Sequence, residues 1–330
     1  NLSFRTKRNR ILSIKYPLSN NSECELPGMI RDAIQEAPDS ELSQFLNAYG
    51  STFTCTLSDR KGCPSYRRQE QLNQKGVYSS VFKSCCSDSC DYVTKIVYFN
   101  MYHNNNNNYG NSAYHHAPEG VDPVEKTDFM NELWMQAKAA TIQVAPPIRK
   151  VLLSESRGIL IMDSMKIDLE DMMEQIIMDP ETTEESAYDK GMELANQIGT
   201  QIMKLHRYNI IHGDIHQNNV MFDHSGQCKL IDYGMAMIVP IEYLAEEYLV
   251  NRNISSQIID AYRGDYKLSL DKTRLRSLTE RRFFTKNVSE NNISIKVKFR
   301  ILFQALSDGL DDWLEKDMEH LYVRVNQYIK

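Results

Sequence analysis

The sequence predicts an α+β fold of two lobes, a small lobe rich in strands followed by a reduced helical lobe. Segments rich in β-branched and aromatic residues, which are typical of strands, occur from residue 76 to about residue 163. Longer segments with apolar residues at helical spacing dominate the chain after that point. Strands followed by helices are the layout of an α+β protein. The 330 residues exceed the ~100–200 of an average domain, which agrees with two structural units.

Composition and charge argue against several classes of function. The net charge of −6 argues against a protein that coats nucleic acid over its whole surface. No apolar run reaches the ~18 residues of a membrane span, so no membrane partner is expected. The basic residues 1–10 are not followed by an apolar run, so no secretory signal is visible.

The seven cysteines, an odd number in a chain of this size, favour a reducing compartment and therefore a cytoplasmic location. Cys85, Cys86 and Cys90 could form a zinc site with Cys55 or Cys63. Their spacing lacks the paired C-x-x-C knuckles of strong zinc motifs. Free thiols in and beside a hairpin are the alternative interpretation.

Changes in composition along the chain divide it into three regions. Residues 1–70 mix Ser, Asn, Pro and Cys without a clear period, and we interpret them as an extension packed on the main fold. Within them, apolar residues at roughly helical spacing predict a short helix from Pro27 to Tyr49. Residues 71–162 form the predicted small lobe. Residues 163–330 form the helical lobe, which is atypical after residue 240.

The small lobe begins with a predicted β-hairpin, whose second strand is the β-branched and aromatic segment Tyr92–Tyr98. Five consecutive asparagines, Asn104–Asn108, cannot form a core and predict a disordered insert. Helical spacing of apolar residues predicts a helix over 128–141, which a Pro-Pro pair ends. Two strands are predicted after it, over 148–153 and 158–162.

The helical lobe begins with two predicted helices, over 169–177 and 183–208, of which the second is long and amphipathic. Two short strands, over 219–223 and 228–231, bracket a turn. Beyond Pro240 the sequence is mostly helical.

The strongest functional signal is a pair of short motifs in the helical lobe. The run HGDIHQNN occupies 212–219, and the run LIDYG occupies 230–234. They resemble the catalytic loop H-x-D-x-x-x-x-N and the metal-binding D-F-G motif of protein kinases, with Tyr in place of Phe. Either motif alone could be an aspartate that caps a turn, but both in this order favour the kinase interpretation. The resemblance covers roughly half the chain, from Gly76 to Ala236, and implies the two-lobed kinase fold and ATP-dependent phosphoryl transfer.

The resemblance gives three of these side chains a role in phosphoryl transfer. The γ-phosphate carries negative charge as it moves, and Mg²⁺, which prefers carboxylate and amide oxygens, neutralises that charge. Asp232 is expected to supply the main metal carboxylate, and Asn219 to hold a second metal ion through its amide oxygen. Asp214 is expected to orient the acceptor hydroxyl and take its proton. ATP and Mg²⁺ are therefore the expected cofactors.

The small lobe contains candidates for the remaining kinase residues. Lys95, in the predicted hairpin, resembles the strand lysine that pairs with the α- and β-phosphates. Glu132 resembles the helix glutamate that clamps this lysine. A lone Lys in a strand or Glu on a helix is usually solvated, so the two assignments depend on each other.

The nucleotide is expected to contact four residues besides Lys95. Gly76 and Val81 match the phosphate-covering loop, although the other glycines of that loop are replaced. Met162 is expected to line the adenine pocket, and Asp163 to begin the linker between the lobes. These last two assignments follow from position alone.

Three departures from the protein kinase pattern leave other functions open. His216 stands where Ser/Thr protein kinases usually have Lys, and H-G-D-I-H is typical of small-molecule kinases of the aminoglycoside and choline phosphotransferase type. No A-P-E motif follows Gly234, and neither the usual activation segment nor the later helical aspartate is recognisable. The region after Pro240 is short. Together the three departures indicate an atypical, reduced helical lobe, as in RIO-like kinases. A divergent Ser/Thr protein kinase is the preferred interpretation. A small-molecule kinase and a pseudokinase-like structural or binding module are the alternatives.

The basic segment and the asparagine-rich insert give two further indications. Residues 263–300 contain eleven Lys or Arg against four Asp or Glu, so this segment is a candidate surface for an acidic partner or nucleic acid. A solvated helical face is the alternative. The insert and the degenerate glycine loop are similar to those of kinases from large DNA viruses. The expected location is then the host cytoplasm or the virion, and the expected partner is a protein substrate.

Overall fold

The computed structural model describes residues 34–36, 52–54, 65–72, 79–86, 89–99, 122–153, 157–268 and 291–330. The insert at Asn104–Asn108, the glycine loop at Gly76 and residues 269–290 of the basic segment lie outside the described residues. The side chains of the five cysteines proposed for zinc also lie outside them. The predictions for these parts of the chain stay predictions.

The small lobe is built on a mixed sheet of seven strands in the order β1-β6-β7-β5-β4-β3-β2. These strands are β1 (Ile34–Glu36), β2 (Thr52–Thr54), β3 (Ser65–Gln71), β4 (Ser79–Cys86), β5 (Ser89–Tyr98), β6 (Ile148–Leu153) and β7 (Arg157–Asp163). The predicted hairpin is β4 with β5, in which Val81 lies opposite Lys95. The two strands predicted after the helix are β6 and β7, and their bounds match to within one residue.

The helix predicted from Pro27 to Tyr49 is wrong at Ile34–Glu36, which forms strand β1. Ile34 lies opposite Val151 in a parallel pairing with β6. The edge of a sheet offers main-chain hydrogen bonds, and this tertiary context overrides a weak helical spacing of side chains. Strands β1, β2 and β3 extend the sheet of the small lobe into residues predicted as an extension.

Helix α1 (Lys126–Thr141) lies against this sheet and begins two residues before the predicted start. Its Phe129 and Leu133 are buried in the core of the small lobe. At Gly158 of β7 a Cβ atom would lie 2.4 Å from the Phe129 ring, so the close approach of helix and strand requires glycine. This packing sets the depth of α1 against the sheet and places Glu132 beside β5.

The helical lobe contains five described helices, and its predicted helical segments match the structure closely. They are α2 (Leu169–Met178), α3 (Glu184–Arg207), α4 (Ile241–Asn251), α5 (Ser256–Asp265) and α6 (Asn291–Ile329). Helix α3 begins at a capping box, because Thr183 Oγ1 accepts a hydrogen bond from Ser186 N at 3.1 Å and Ser186 Oγ accepts one from Thr183 N at 2.8 Å. None of the described helices is long and apolar enough to span a membrane.

The long helix α6 belongs to the core of the helical lobe because it packs directly on α3. A Cβ atom at Gly191 of α3 would lie 2.5 Å from the Leu302 carbonyl oxygen of α6. A Cβ atom at Gly309 of α6 would lie 2.5 Å from Ala195 Cβ of α3. Such close approach is available only to small residues, and it brings the two backbones together along much of their length.

Short strands carry the loops of the candidate site. They are β8 (Ile167–Asp168), β9 (Ile210–Ile211), β10 (Val220–Phe222), β11 (Cys228–Leu230) and β12 (Met237–Ile238). Strand β10 pairs with β8 and β11, and β9 pairs with β12, each antiparallel. Strand β9 leads into the first motif and β11 into the second.

Candidate active site

Three elements from both lobes bring Lys95, Glu132 and Asp232 together. Lys95 Nζ of β5 lies 2.5 Å from Glu132 Oε1 of α1 and 2.9 Å from Asp232 Oδ1, just after β11. The Lys95 and Glu132 side chains are only 11% and 9% exposed, whereas that of Asp232 is 48% exposed. The ammonium group is therefore clamped between a buried carboxylate and one that solvent reaches.

The charges of this cluster stabilise one another. Burial by itself lowers the pKa of Lys95, but the carboxylates of Asp232 and Glu132 outweigh burial and raise it above its ordinary value. The positive charge of Lys95 in turn lowers the pKa of Asp232. At neutral pH the site therefore holds a lysine cation and an aspartate anion whose side chain is partly exposed to solvent.

The backbone around Asp232 is set by its neighbours in the D-Y-G run. Asp232 has φ +64° and ψ +75°, in the left-handed region, which Asp tolerates better than most residues. Tyr233 follows at the start of a 3₁₀ turn, Tyr233–Met235, and its ring is buried 4.7 Å from the His212 ring.

His212 Nε2 donates to the Ile231 carbonyl at 3.0 Å, which joins the two motifs directly. Burial lowers the pKa of His212, so its imidazole is neutral.

The catalytic loop motif folds on itself around Asp214. Asn219 Nδ2 donates to the Asp214 carbonyl at 3.0 Å and to Asp214 Oδ2 at 3.4 Å. His216 Nδ1 accepts a hydrogen bond from Asn218 N at 3.2 Å, so the ring proton lies on Nε2, 3.9 Å from Asp214 Oδ2. The Asp214 side chain is 46% exposed. The loop therefore presents an accessible carboxylate with a neighbouring amide and imidazole.

A buried aspartate that the sequence analysis missed holds the backbone of this loop. Asp265, at the end of α5, accepts hydrogen bonds from His212 N at 2.7 Å and from Gly213 N at 2.8 Å. Gly213 has φ +78°, and a Cβ atom there would lie 2.8 Å from the Met235 carbonyl oxygen, so the turn requires glycine. No local motif marks Asp265, because its partners lie about fifty positions earlier in the chain.

Three of the four residues expected at the nucleotide are described, and all three lie on the sheet. Val81 of β4 is half-buried opposite Lys95. Met162 is buried at the end of β7. The Asp163 carboxylate accepts two hydrogen bonds from Arg149, each of 2.6 Å, and is therefore engaged in the sheet. Gly76 lies outside the described residues.

The oxygen donors of the site fit Mg²⁺, which the protein would bind together with nucleotide phosphates, better than they fit a metal ion that protein ligands alone would hold. Among the described residues no group of three or more His, Cys, Asp or Glu could hold a metal ion. The Asp232 carboxylate, whose Oδ1 contacts Lys95, is 48% exposed, and both hydrogen bonds of the Asn219 side chain involve Nδ2, which leaves its amide oxygen. Mg²⁺ typically takes one or two such protein ligands together with substrate phosphates and water.

A clamped strand lysine facing the aspartate of a D-Y-G run, beside a loop that presents a second aspartate, defines the class of two-lobed kinase-like proteins. The chain belongs to the protein kinase domain family, whose family model matches residues 69–256, more than half of the sequence. A serine/threonine-protein kinase-like protein of Arabidopsis thaliana is 42% identical over 48 residues. This match covers 14% of the present chain and 14% of that plant protein, so the chain spans only a small part of the relative's length.

Proposed function

We propose that this chain is an ATP-dependent protein kinase that transfers the γ-phosphate of ATP to a Ser or Thr hydroxyl of a protein. The observation that carries the proposal is the contact of Lys95 with both Glu132 and Asp232. One carboxylate is enough to neutralise a lysine that has only a structural role. A lysine that positions phosphates must also lie next to the aspartate that binds the metal ion, and Lys95 lies next to Asp232. Membership of the protein kinase domain family supports the same activity.

The proposed roles divide between the two lobes. Lys95 orients the phosphates, and Glu132 holds the Lys95 ammonium group in place. Asp232 and Asn219 hold Mg²⁺, which supplies the charge neutralisation that phosphoryl transfer requires. Asp214 accepts the proton of the attacking hydroxyl at its exposed carboxylate, while the Asn219 amide keeps that carboxylate oriented.

A small-molecule kinase is the second candidate function, and His216 is the observation that favours it. Its imidazole lies beside Asp214 in an H-G-D-I-H run, where protein kinases usually have Lys. In the protein kinase interpretation, the Nε2–H group of His216 takes over part of the role of that Lys near the transferring phosphate.

One assay separates these interpretations. The chain is incubated with γ-labelled ATP and Mg²⁺, with casein or histone as protein acceptors and with kanamycin or choline as small acceptors. We expect label on Ser and Thr of the proteins, and none with Asp214→Asn. The exposed-residue variant Asp260→Asn is the matched control and keeps full activity.

Label on kanamycin or choline alone would favour the small-molecule interpretation. A rise in melting temperature with ATP and Mg²⁺, without consumption of the γ-phosphate, would favour a pseudokinase-like module.

Partners and location extend the proposal. Residues 263–300 form a basic segment that we propose as a docking surface for an acidic partner or nucleic acid. The cysteine content supports a reducing cytoplasmic environment. Viral origin, with the host cytoplasm or the virion as location, stays a prediction.

A further inference from the structure

The carboxyl-terminal helix α6 reaches the buried side of the catalytic loop through two charged side chains. Asp317 accepts hydrogen bonds from His206 Nδ1 and, at 3.1 Å, from the Tyr266 hydroxyl. Arg324 donates to the His206 carbonyl at 2.7 Å and to the Asn209 side chain. Arg324 therefore contacts the turn between α3 and β9, and Asp317 contacts His206 in the last turn of α3, shortly before the catalytic loop motif.

His206 connects Asp317 to the loop itself. Its Nε2 lies 3.0 Å from Asp265 Oδ2, and Asp265 accepts the backbone hydrogen bonds of His212 and Gly213. The side chains of His206, Asp265 and Asp317 are almost completely buried. A continuous chain of hydrogen bonds thus runs from α6 to the residues just before Asp214.

The imidazole can satisfy both aspartates only as a cation, because each of its nitrogens must donate. Burial lowers the pKa of His206, but the hydrogen bonds to Asp265 and Asp317 outweigh burial and raise the pKa to about 9. The charged and titratable groups around the ring come from the catalytic loop, from α5 and the residue after it, and from α6. They are His212, Tyr262, Asp265, Tyr266, Asp317 and Arg324. A buried ion group of this kind is costly to break, because removal of one partner leaves an uncompensated charge.

Arg324 acts on the same turn from the other side. Asn209 has φ +62°, and its side chain is held by Arg324. Its backbone carbonyl accepts from Val239 N at 2.9 Å, in the segment that follows Asp232. Through Arg324 and Asn209, helix α6 therefore braces the turn that precedes the first motif and the segment that follows the second.

We propose that Asp317 and Arg324 are positioning residues for phosphoryl transfer, and that they hold Asp214 in place through His206, Asp265 and the turn at Asn209. The inference rests on the proposed kinase function. It adds the carboxyl-terminal helix, which carries no recognisable kinase motif, to the set of elements on which turnover depends.

The test compares Asp317→Asn and Arg324→Gln with the wild-type chain. In each, kcat for phosphate transfer to casein falls about tenfold while KM for ATP changes less than about twofold, because the nucleotide contacts are untouched. Trp313→Phe is the matched control, because it removes a 3.1 Å hydrogen bond from α6 to Asn196 of α3 without touching the turn or loop. Its kcat stays at the wild-type level.

The pH profile separates positioning from simple loss of folded protein. With only Asp265 as a partner, His206 of the Asp317→Asn variant loses its proton at lower pH. The ratio of variant to wild-type kcat therefore falls as pH rises from about 6 to about 8. In Arg324→Gln the same ratio stays constant.

If folded Asp317→Asn and Arg324→Gln keep the wild-type kcat, the positioning role is overturned and the proposed kinase function is not. Losses equal to the unfolded fraction in both variants, with a ratio for Asp317→Asn that does not depend on pH, would also overturn the positioning role. A wild-type chain that consumes no ATP with any acceptor would overturn the proposed function and the positioning role with it.

Discussion

Lys95 Nζ and Asp232 Oδ1 lie 2.9 Å apart although 137 positions separate the two residues in sequence. The first belongs to a strand of the small lobe and the second follows a strand of the helical lobe. Their contact places a cation of one lobe against an anion of the other, and Glu132 holds the cation from the opposite side. The first two predictions concern this contact.

Lys95→Met is expected to reduce turnover about a hundredfold or more while nucleotide affinity falls only a few-fold, because the lysine positions phosphates rather than supplying most of the binding energy. The variant also removes the Lys95 ammonium group that contacts the buried Glu132 carboxylate, so its melting temperature falls. Lys83→Met, an exposed lysine on the adjoining strand β4, is the matched control. Unchanged turnover in Lys95→Met would show that the lysine has no part in transfer.

Asp232→Asn is expected to abolish phosphate transfer and to leave the fold intact. The side chain is 48% exposed, Glu132 still neutralises Lys95 in the variant, and Asn tolerates the left-handed backbone at this position as well as Asp does. The loss comes from the missing metal carboxylate. Transfer is measured with Mg²⁺ as the sole metal, and the fold by circular dichroism. Full activity in this variant would contradict the assignment of Asp232.

Activity is expected to be independent of phosphorylation in the segment after Asp232. The nine residues from Asp232 to Pro240 contain no Ser or Thr, and their one hydroxyl, that of Tyr233, is buried. Strand β12 within this segment already pairs with β9 beside the catalytic loop. Treatment with a protein phosphatase, followed by its removal, should leave kcat unchanged. Loss of activity together with a phosphosite mapped to these residues would contradict the prediction.

The free energy of unfolding is expected to fall as pH rises from about 6.5 to about 9. The pKa of His206 is raised from 6.5 to about 9 in the folded chain, so its contribution is complete below pH 6.5 and is lost as pH passes about 9. A difference of this size corresponds to stability on the order of 3 kcal/mol.

Urea unfolding of His206→Gln should show a shallower dependence on pH over this range. His224→Gln, which changes an exposed histidine, should keep the wild-type dependence. Equal slopes in all three proteins would contradict the role of His206.

Gly191→Ala is expected to destabilise the chain by about 1–3 kcal/mol, because the new methyl group would lie 2.5 Å from a main-chain oxygen of α6 that cannot move aside. Gly264→Ala in α5 is the control, since a Cβ atom there meets nothing within 4 Å. Alanine favours a helix over glycine, so this variant should be as stable as the wild type or more stable. Thermal unfolding of both variants measures the difference. Equal stability would show that α3 and α6 pack less closely.

The spacing of apolar residues predicted most of the described elements, because this spacing is a local property of each segment. Helices α1, α2 and α3 and strands β5, β6 and β7 lie close to their predicted bounds. Strand β1 was predicted as helix, because its pairing with β6 depends on residues more than a hundred positions away.

The sequence by itself determined the class of fold, the two motifs and the residue types at Lys95, Glu132, Asp214, Asn219 and Asp232. Each of these follows from local patterns or from a family resemblance. Only the tertiary structure brought Asp265, His206 and Asp317 together behind the catalytic loop. The members of this buried ion group come from distant helices, and in the sequence they look like ordinary charged residues. A charged side chain needs a partner of opposite charge only when it is buried, and burial is a property of the tertiary structure.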